Sequence, residues 1–135
     1  MESARSREIE RLDTEDGILK ILAMDDERIL LNALTDTLRA VCAEDDEVVP
    51  FRNRREFREY QDKADFDVAF LDYDMGRMTG IEFYHELKEY SPGCRFVIVT
   101  GDEQHKEEAY RAGAAGFVLK PYSEEEVRAE LKKLY

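Results

Sequence analysis

The chain has 135 residues, 43% of them apolar, which is enough for one domain that buries its own core without disulfide or metal staples. Its 32 acidic and 20 basic residues give a formal net charge of −12, which argues against nucleic-acid and anionic-membrane partners because both require a basic face. Since no apolar run approaches the roughly 20 residues of a membrane span and no signal peptide is visible, we expect a cytoplasmic protein.

After a charged extension over residues 1–17, hydrophobic patterning predicts five strands and five helices that alternate along the chain. In chain order the elements are a strand (18–24), a helix (27–43), a strand (47–51), a helix (53–63), a strand (67–72), a helix (80–90), a strand (95–101), a weak helix (102–114), a strand (116–121) and a final helix after Ser123. This alternation predicts one α/β domain, residues 18–135, built on a parallel sheet that helices cover on both faces.

Individual residues refine these elements. Pro50 cannot donate to a strand ladder, so its strand is expected at an edge of the sheet. Ser123 and Glu126 form a capping box that starts the last helix. The fourth helix is weak because its inner face offers little beyond Ala109 and Ala112. The second helix is expected to turn Phe57 and Tyr60 inward, and the third helix places Phe83, Leu87 and Tyr90 on one face.

Polar side chains stand where four of the predicted strands end. They are Asp25 and Asp26 after the first strand, Asp72 at the end of the third, Thr100 at the end of the fourth and Lys120 after the fifth. Each alone has a plain structural explanation, since acids commonly close strands and a lysine before proline is commonly solvated. Because parallel strands end at the same edge of a sheet, where α/β proteins bind ligands, the set predicts one site.

The chemistry of this set indicates phosphoryl binding. Neighbouring carboxylates raise one another's pKa unless a cation compensates their charge, and oxygen ligands without histidine or cysteine suit Mg²⁺. A carboxylate, a magnesium ion, a hydroxyl and an ammonium together form a receptor for a phosphoryl group. Asp72, at the end of a central strand, is then the candidate nucleophile that would become an aspartyl phosphate.

The motifs MDDE, FLDYDMGRMTG, VIVTG and FVLKP, in this order and spacing, resemble the receiver domain of two-component response regulators. The resemblance runs from about residue 18 to the end of the chain. It implies a flavodoxin-like, doubly wound sheet of five parallel strands in the order 2-1-3-4-5. It also implies a phosphorelay protein that is no enzyme with an independent substrate, since receivers catalyse only their own phosphorylation and dephosphorylation.

The resemblance implies a role for each site residue. Asp72 is the phospho-acceptor, and Thr100 and Lys120 contact the phosphoryl group. Thr100 and Phe117 form the switch, in which the aromatic ring turns inward as the threonine moves toward the phosphoryl group. Magnesium is held by Asp26 directly, by Asp25 largely through water, by Asp72 and by the backbone carbonyl of Asp74.

The resemblance further implies partners. A sensor histidine kinase or a histidine phosphotransfer protein donates the phosphoryl group, and a downstream protein binds the face formed by the fourth helix, fifth strand and fifth helix. No DNA-binding or enzymatic segment follows the last predicted helix, so we expect a stand-alone receiver whose output is protein binding or onward phosphotransfer.

Several positions leave questions open. Gly76 stands where the family commonly has proline, and glycine here would loosen the loop. Asp74 adds a side-chain carboxylate near the site, which could favour or oppose dephosphorylation. Phe117 lacks a tyrosine hydroxyl, so its switch must work by burial of the ring. His85 and His105 are expected to be solvated. Cys42 and Cys94 fit no metal-ligand spacing and are expected to be reduced, buried thiols.

Two alternatives remain at this stage. LDYDM also resembles the DxD strand end of small aspartyl-phosphate phosphohydrolases, although Asp25 and Asp26 are unexplained there and the chain has no room for a cap domain. A degenerate receiver could instead act as a phosphate-independent binding module. The complete set of site residues favours the phosphorelay interpretation.

Overall fold

The computed structural model describes residues 17–135 and confirms the alternation of strands and helices. The strands are β1 (Lys20–Met24), β2 (Glu47–Phe51), β3 (Val68–Asp72), β4 (Arg95–Thr100) and β5 (Gly116–Leu119). The helices are α1 (Arg28–Val41), α2 (Arg54–Glu59), α3 (Gly80–Tyr90), α4 (His105–Arg111) and α5 (Glu124–Leu134). Apart from Gly17, the charged extension expected at residues 1–17 lies outside the described residues. Within 17–135, no helix combines the length and the apolar character needed to cross a membrane.

The five strands form one parallel sheet in the order β2-β1-β3-β4-β5, as the sequence resemblance implied. β2 is an edge strand, the position expected for a strand that contains Pro50. The inner strands β1 and β3 are buried along their whole length, as is typical of a parallel sheet that is covered on both faces.

Alternate side chains of each strand point to opposite faces, so the sheet separates two apolar cores. α1 and α5 cover one face, with Leu38 and Leu131 fully or almost fully buried there. α2, α3 and α4 cover the other face through Phe57, Phe83 and Ala109. Both faces are therefore closed, and the carboxyl ends of the strands are left to form a site at one edge.

Capping boxes fix the starts of two helices. The predicted pair of Ser123 and Glu126 is confirmed at the start of α5. A second pair, Thr79 and Glu82, starts α3 immediately after the loop that follows β3. Each box satisfies backbone N–H groups that a helix start would otherwise leave unpaired.

Tyr90 shares a face of α3 with Phe83, because both rings pack edge-on against Phe57, Tyr90 at a centroid distance of 5.7 Å. Tyr90 is nevertheless 45% exposed because it is the last residue of α3. The prediction that Ala112 lies on the buried face of the fourth helix is wrong. Ala112 is exposed because α4 ends at Arg111, before the face that would bury it is complete. Tyr60 lies just beyond α2 and is half-buried.

The two cysteines are free, buried thiols, as predicted. Burial raises the pKa of the Cys94 thiol to about 12. This side chain therefore remains protonated at neutral pH and packs as a small apolar group.

Candidate functional site

One edge of the sheet gathers acids from β1 and β3 around a lysine that follows β5. One carboxylate oxygen each from Asp25, Asp26 and Asp72 lies within 4.8 Å of the others. The ammonium of Lys120 donates to Asp72 Oδ1 at 2.7 Å and to Asp25 Oδ2 at 3.1 Å. Asp25 and Asp72 are buried, whereas Asp26 is exposed. The structure thus brings together four of the polar residues that the sequence analysis placed at strand ends.

Burial and charge act against each other in this cluster. Burial, opposed by the hydrogen bond from Lys120 and aided by the charge of Asp25, raises the pKa of Asp72 to about 6. Burial lowers the pKa of Lys120, but its contacts with Asp72 and Asp25 outweigh that effect, so the pKa is raised. The lysine therefore stays charged and contacts two of the three carboxylates, Asp72 and Asp25, so its single charge does not balance the cluster.

The acid cluster has the donor set that Mg²⁺ prefers. Its ligands are carboxylate oxygens only, and a divalent cation would neutralise the charge that Lys120 leaves uncompensated. Asp25 is also held in place, because its Oδ1 accepts the backbone N–H of Glu27 at 3.0 Å. The residues present therefore fit a magnesium ion at Asp25, Asp26 and Asp72.

Thr100 lies at the buried end of β4, at the same edge of the sheet. Its Oγ1 is 3.2 Å from Nδ1 of His105 and accepts the backbone N–H of Asp102, also at 3.2 Å. Its carbonyl accepts the backbone N–H of Lys120 at 2.8 Å, which ties β4 to the residue after β5. The hydroxyl of Thr100 therefore interacts with the first residue of α4 and with the loop just before it.

The expectation that His105 is solvated is wrong. Its ring is half-buried and stacks on Tyr73, with centroids 3.6 Å apart and an interplanar angle of 16°. Tyr73 in turn donates its hydroxyl to Glu108 Oε1 at 2.7 Å, and this hydrogen bond raises the pKa of Tyr73 to about 12. His85, by contrast, is exposed as predicted.

Sequence reasoning missed the contacts that link the loop after β3 to α4. Tyr73 follows Asp72 directly, while His105 and Glu108 are three residues apart on one helical face. The available signal was indirect: α4 lacks an apolar face, so a short helix of this kind needs polar contacts to hold it on the sheet.

The loop after β3 has its own backbone requirements. Asp74 Oδ1 accepts the N–H of Gly76 at 3.1 Å, so this exposed carboxylate closes a turn. Gly76 has a φ of +80°, which proline cannot adopt, so glycine here changes the backbone conformation as well as its freedom. A Cβ at Gly80 would stand 2.5 Å from the carbonyl oxygen of Asp72, which explains the glycine at this close approach.

Phe117 lies on β5 opposite Ile98 of β4, and its ring is only 9% exposed. The ring packs into the core beneath α2, α3 and α4. A Cβ at Gly101, just after Thr100, would meet nothing within 4 Å, so the surface beside the hydroxyl is open.

Comparison with known proteins points to one family. A family model described as the response regulator receiver domain matches residues 21–132. The chemotaxis protein CheY of Halobacterium salinarum is 30% identical over 110 residues, which cover 80% of this chain and 89% of that protein. The transcriptional regulatory protein YesN of Bacillus subtilis, described as uncharacterized, is 25% identical over 117 residues, or 85% of this chain, but the match covers only 32% of YesN.

Solved structures agree on the fold. The crystal structure of the response regulator TrrA of Thermotoga maritima, in complex with Mg²⁺-BeF, matches with a TM-score of 0.71. The match covers 87% of this chain and 99% of that one at 22% sequence identity. At this identity the likeness supports the fold, namely a receiver-type sheet with the same arrangement of helices.

Proposed function

This chain belongs to the response regulator receiver domain family, and from this premise we propose that it accepts a phosphoryl group on Asp72. The observation that carries the proposal is the position of Asp72 within the acid cluster, where Lys120 contacts it at 2.7 Å. Asp72 is buried at the end of an inner strand, whereas Asp26 is exposed. Asp25 is also buried and contacts Lys120, but at 3.1 Å and one residue beyond the end of β1, so the shorter contact and the place on the strand itself distinguish Asp72.

The donor would be a phospho-histidine on a sensor histidine kinase or a histidine phosphotransfer protein. A carboxylate oxygen of Asp72 attacks phosphorus, and the O–P bond forms as the P–N bond breaks, leaving its electron pair on the imidazole nitrogen. Lys120 lies beside the acceptor and neutralises charge on the phosphoryl oxygens. In dephosphorylation, a water oxygen attacks phosphorus, and inorganic phosphate leaves as the carboxylate is restored.

Asp25, Asp26, Asp72 and the backbone carbonyl of Asp74 would hold Mg²⁺. When bound, the ion supplies positive charge that draws the acceptor and the phosphoryl group together. The oxygen-only donor set and the uncompensated charge of the acid cluster support this assignment. TrrA, a relative in fold, was crystallised with Mg²⁺-BeF.

A phosphoryl group on Asp72 would compete for the hydroxyl of Thr100. That hydroxyl now lies 3.2 Å from His105, and an anionic oxygen is the stronger acceptor because charge-assisted hydrogen bonds are stronger than neutral ones. If Thr100 turns toward the phosphoryl group, α4 loses one of its contacts with the sheet. Phosphorylation would in this way bias the position of α4.

The face formed by α4, β5 and α5 is the proposed binding surface for a downstream protein. It exposes apolar side chains, with Tyr110 at 40% and Leu119 at 39% exposure. Phe117 lies beneath it and shares its packing with Ala109 of α4. A shift of α4 would therefore change both the surface and the packing of Phe117.

A recess next to the acid cluster is the proposed docking place for the phosphoryl donor. Its volume is about 420 Å³, and it lies between α1 and the segment after β5. The lining includes Leu30, Ala33, Pro121 and Tyr122, and the recess reaches Asp25 and Lys120. On the first turn of α1, Ile29 is 82% exposed, which adds apolar surface to this side of the molecule.

Intact-protein mass spectrometry after incubation with acetyl phosphate and Mg²⁺ tests the proposal. We expect a single adduct with the mass of one phosphoryl group, stable in acid and labile in base. Asp72→Asn should abolish it, and the matched control Asp74→Asn should keep it.

Absence of an adduct on folded protein, with acetyl phosphate and with a histidine kinase alike, would contradict the proposal and favour a phosphate-independent binding module. Sustained hydrolysis of p-nitrophenyl phosphate that is lost in Asp74→Asn would instead favour the phosphohydrolase alternative.

A further inference from the structure

A second cavity, of about 310 Å³, lies beside the acid cluster, and four of the eight residues that line it are arginines. Apart from Asp26, the residues that line it come from the segment between β2 and α2, from the first turn of α2 and from the loop after β3. They are Arg52, Asn53, Arg54, Arg55, Met75, Arg77 and Met78, together with Asp26. Four arginines thus line one space in a chain whose acids outnumber its bases by 32 to 20.

Three of these four guanidinium groups have no partner among residues 17–135. Arg54 pairs with Glu86, with 3.3 Å between Nε and Oε1. Neither a hydrogen bond nor an ion pair engages the guanidinium groups of Arg52, Arg55 or Arg77 in the described part of the chain. Within residues 17–135, the guanidinium groups of these three arginines are therefore available to an anion that enters the cavity.

Arg52 gives the most specific indication of a ligand. Its Nε is buried and has no hydrogen-bond acceptor within the described residues. A buried donor without a partner is unfavourable, and more so when the group is charged. Arg55 and Arg77 line the same cavity and are exposed. A bound anion would accept the buried N–H of Arg52 and would bring opposite charge to all three arginines.

We propose that the cavity lined by Arg52, Arg55 and Arg77 binds an organic phosphate, a small molecule that carries phosphate on an apolar body. Guanidinium groups present paired N–H donors that match phosphate oxygens. Met75 and Met78 form the apolar part of the wall, and methionine adapts to varied ligand shapes. The volume lies near the lower end for small-molecule sites, which suits a small ligand.

The cavity adjoins the proposed magnesium site because both include Asp26. The proposal nevertheless does not rest on phosphorylation of Asp72, so binding is measured without metal. Isothermal titration calorimetry in EDTA, on both the native chain and Asp72→Asn, uses ADP and pyrophosphate as probes. We expect ADP to bind at one site in both proteins, and more tightly than pyrophosphate because only ADP has an organic part for the methionines to contact.

Variants locate the site. Arg52→Gln and Arg77→Gln should each weaken ADP binding by about tenfold, the size expected for one charge-assisted hydrogen bond. The matched control is Arg111→Gln, which alters an exposed arginine paired with Glu107 on α4 and should leave the affinity unchanged. Circular dichroism and the acetyl phosphate adduct, measured on the same variants, report folding and the acceptor site separately.

Three results would overturn the proposal. The first is no saturable binding of either probe to folded protein. The second is equal weakening by Arg111→Gln, which would indicate general attraction of anions. The third is equal affinity for ADP and pyrophosphate, which would remove the role assigned to Met75 and Met78. None of these results would alter the expected adduct on Asp72, so the two proposals fail independently.

Discussion

Asp72 is held in surroundings that disfavour its ionised form. Its pKa is raised from 3.8 to about 6, chiefly by burial. Between these two values the folded chain holds a proton that the unfolded chain releases, so stability decreases as the pH rises through this window. Above about pH 6, Asp72 is ionised in the folded, metal-free protein. The free energy of unfolding is then lowered by the full cost of burying this charge among other carboxylates.

Asp72→Asn should therefore stabilise the metal-free protein at neutral and higher pH. In EDTA at pH 8 we expect the free energy of unfolding to rise by about 1–3 kcal/mol, since a shift of roughly two pKa units corresponds to about 3 kcal/mol at most. The gain should disappear near pH 4, where Asp72 is protonated in the folded protein. Urea unfolding at both pH values measures it.

The control for this variant is Asp74→Asn, which changes an exposed carboxylate and preserves an Oδ1 that can accept from Gly76. Its stability should match that of the native chain at both pH values. Equal stability of Asp72→Asn and the native chain at pH 8 would show that the buried, ionised carboxylate of Asp72 does not destabilise the folded protein.

His105 competes with a phosphoryl group for the hydroxyl of Thr100 in the proposed switch. His105→Phe keeps an aromatic ring against Tyr73 but removes the hydrogen bond to Thr100. We expect Mg²⁺-dependent binding of beryllofluoride, a mimic of the phosphoryl group, to become about fivefold tighter, because one net hydrogen bond is worth about 1 kcal/mol. Nuclear magnetic resonance titration measures the affinity.

His85→Phe is the matched control because His85 is exposed on α3. It should leave beryllofluoride affinity unchanged. Unaltered or weaker binding by His105→Phe would mean that the Thr100–His105 contact does not oppose activation.

At the scale of the secondary-structure elements, α4 differs from the other helices in how it is held. It has seven residues, and Ala109 is the buried one among them. Its other ties are the stack of His105 on Tyr73 and the hydrogen bond from Tyr73 to Glu108. Because polar contacts replace apolar packing here, small changes in the loop after β3 should reach α4.

Tyr73→Phe should loosen α4 without unfolding the sheet. The variant keeps the ring but removes the hydroxyl that donates to Glu108. We expect amide hydrogen exchange of α4 to become about five- to tenfold faster, the effect of losing about one net hydrogen bond, while β4 and β5 stay protected. Exchange detected by mass spectrometry checks this.

Tyr84→Phe provides the comparison, since Tyr84 donates a hydrogen bond of the same length, 2.7 Å, to the carbonyl of Cys94, away from α4. It should leave exchange in α4 unchanged. Identical exchange of α4 in Tyr73→Phe and the native chain would show that the loop after β3 does not hold this helix.

At the scale of the whole molecule, strong periodicity made the alternation of strands and helices predictable, whereas the order of the strands followed from the family resemblance. β3 and α3 were each recognisable from their own residues, and the edge position of β2 followed from Pro50. The acid cluster was also predictable, because parallel strands necessarily bring their carboxyl ends to one edge. Asp25, Asp72 and Lys120 therefore met as expected although they are far apart in sequence.

The remaining contacts depend on how separate elements pack against one another, and local sequence patterns do not predict that packing. Tyr73 and His105 are 32 positions apart, and α4 offers no apolar periodicity from which to infer its neighbour. The unpaired arginines follow the same rule, since Arg52 and Arg77 lie on different segments and converge only in the folded chain. A glycine requirement such as that of Gly80 likewise appears only when the backbone path is known.

The central claim is that Asp72, among four neighbouring acids, is the one that is phosphorylated. Borohydride reduction of the acetyl phosphate adduct tests it most directly, because hydride converts the acyl phosphate of an aspartate to the alcohol of homoserine as phosphate leaves. Peptide mass spectrometry then locates the modified residue. We expect homoserine at position 72 and at no other acid. Homoserine at Asp25, Asp26 or Asp74, or at none of them and not at Asp72 after an adduct has formed, would contradict it.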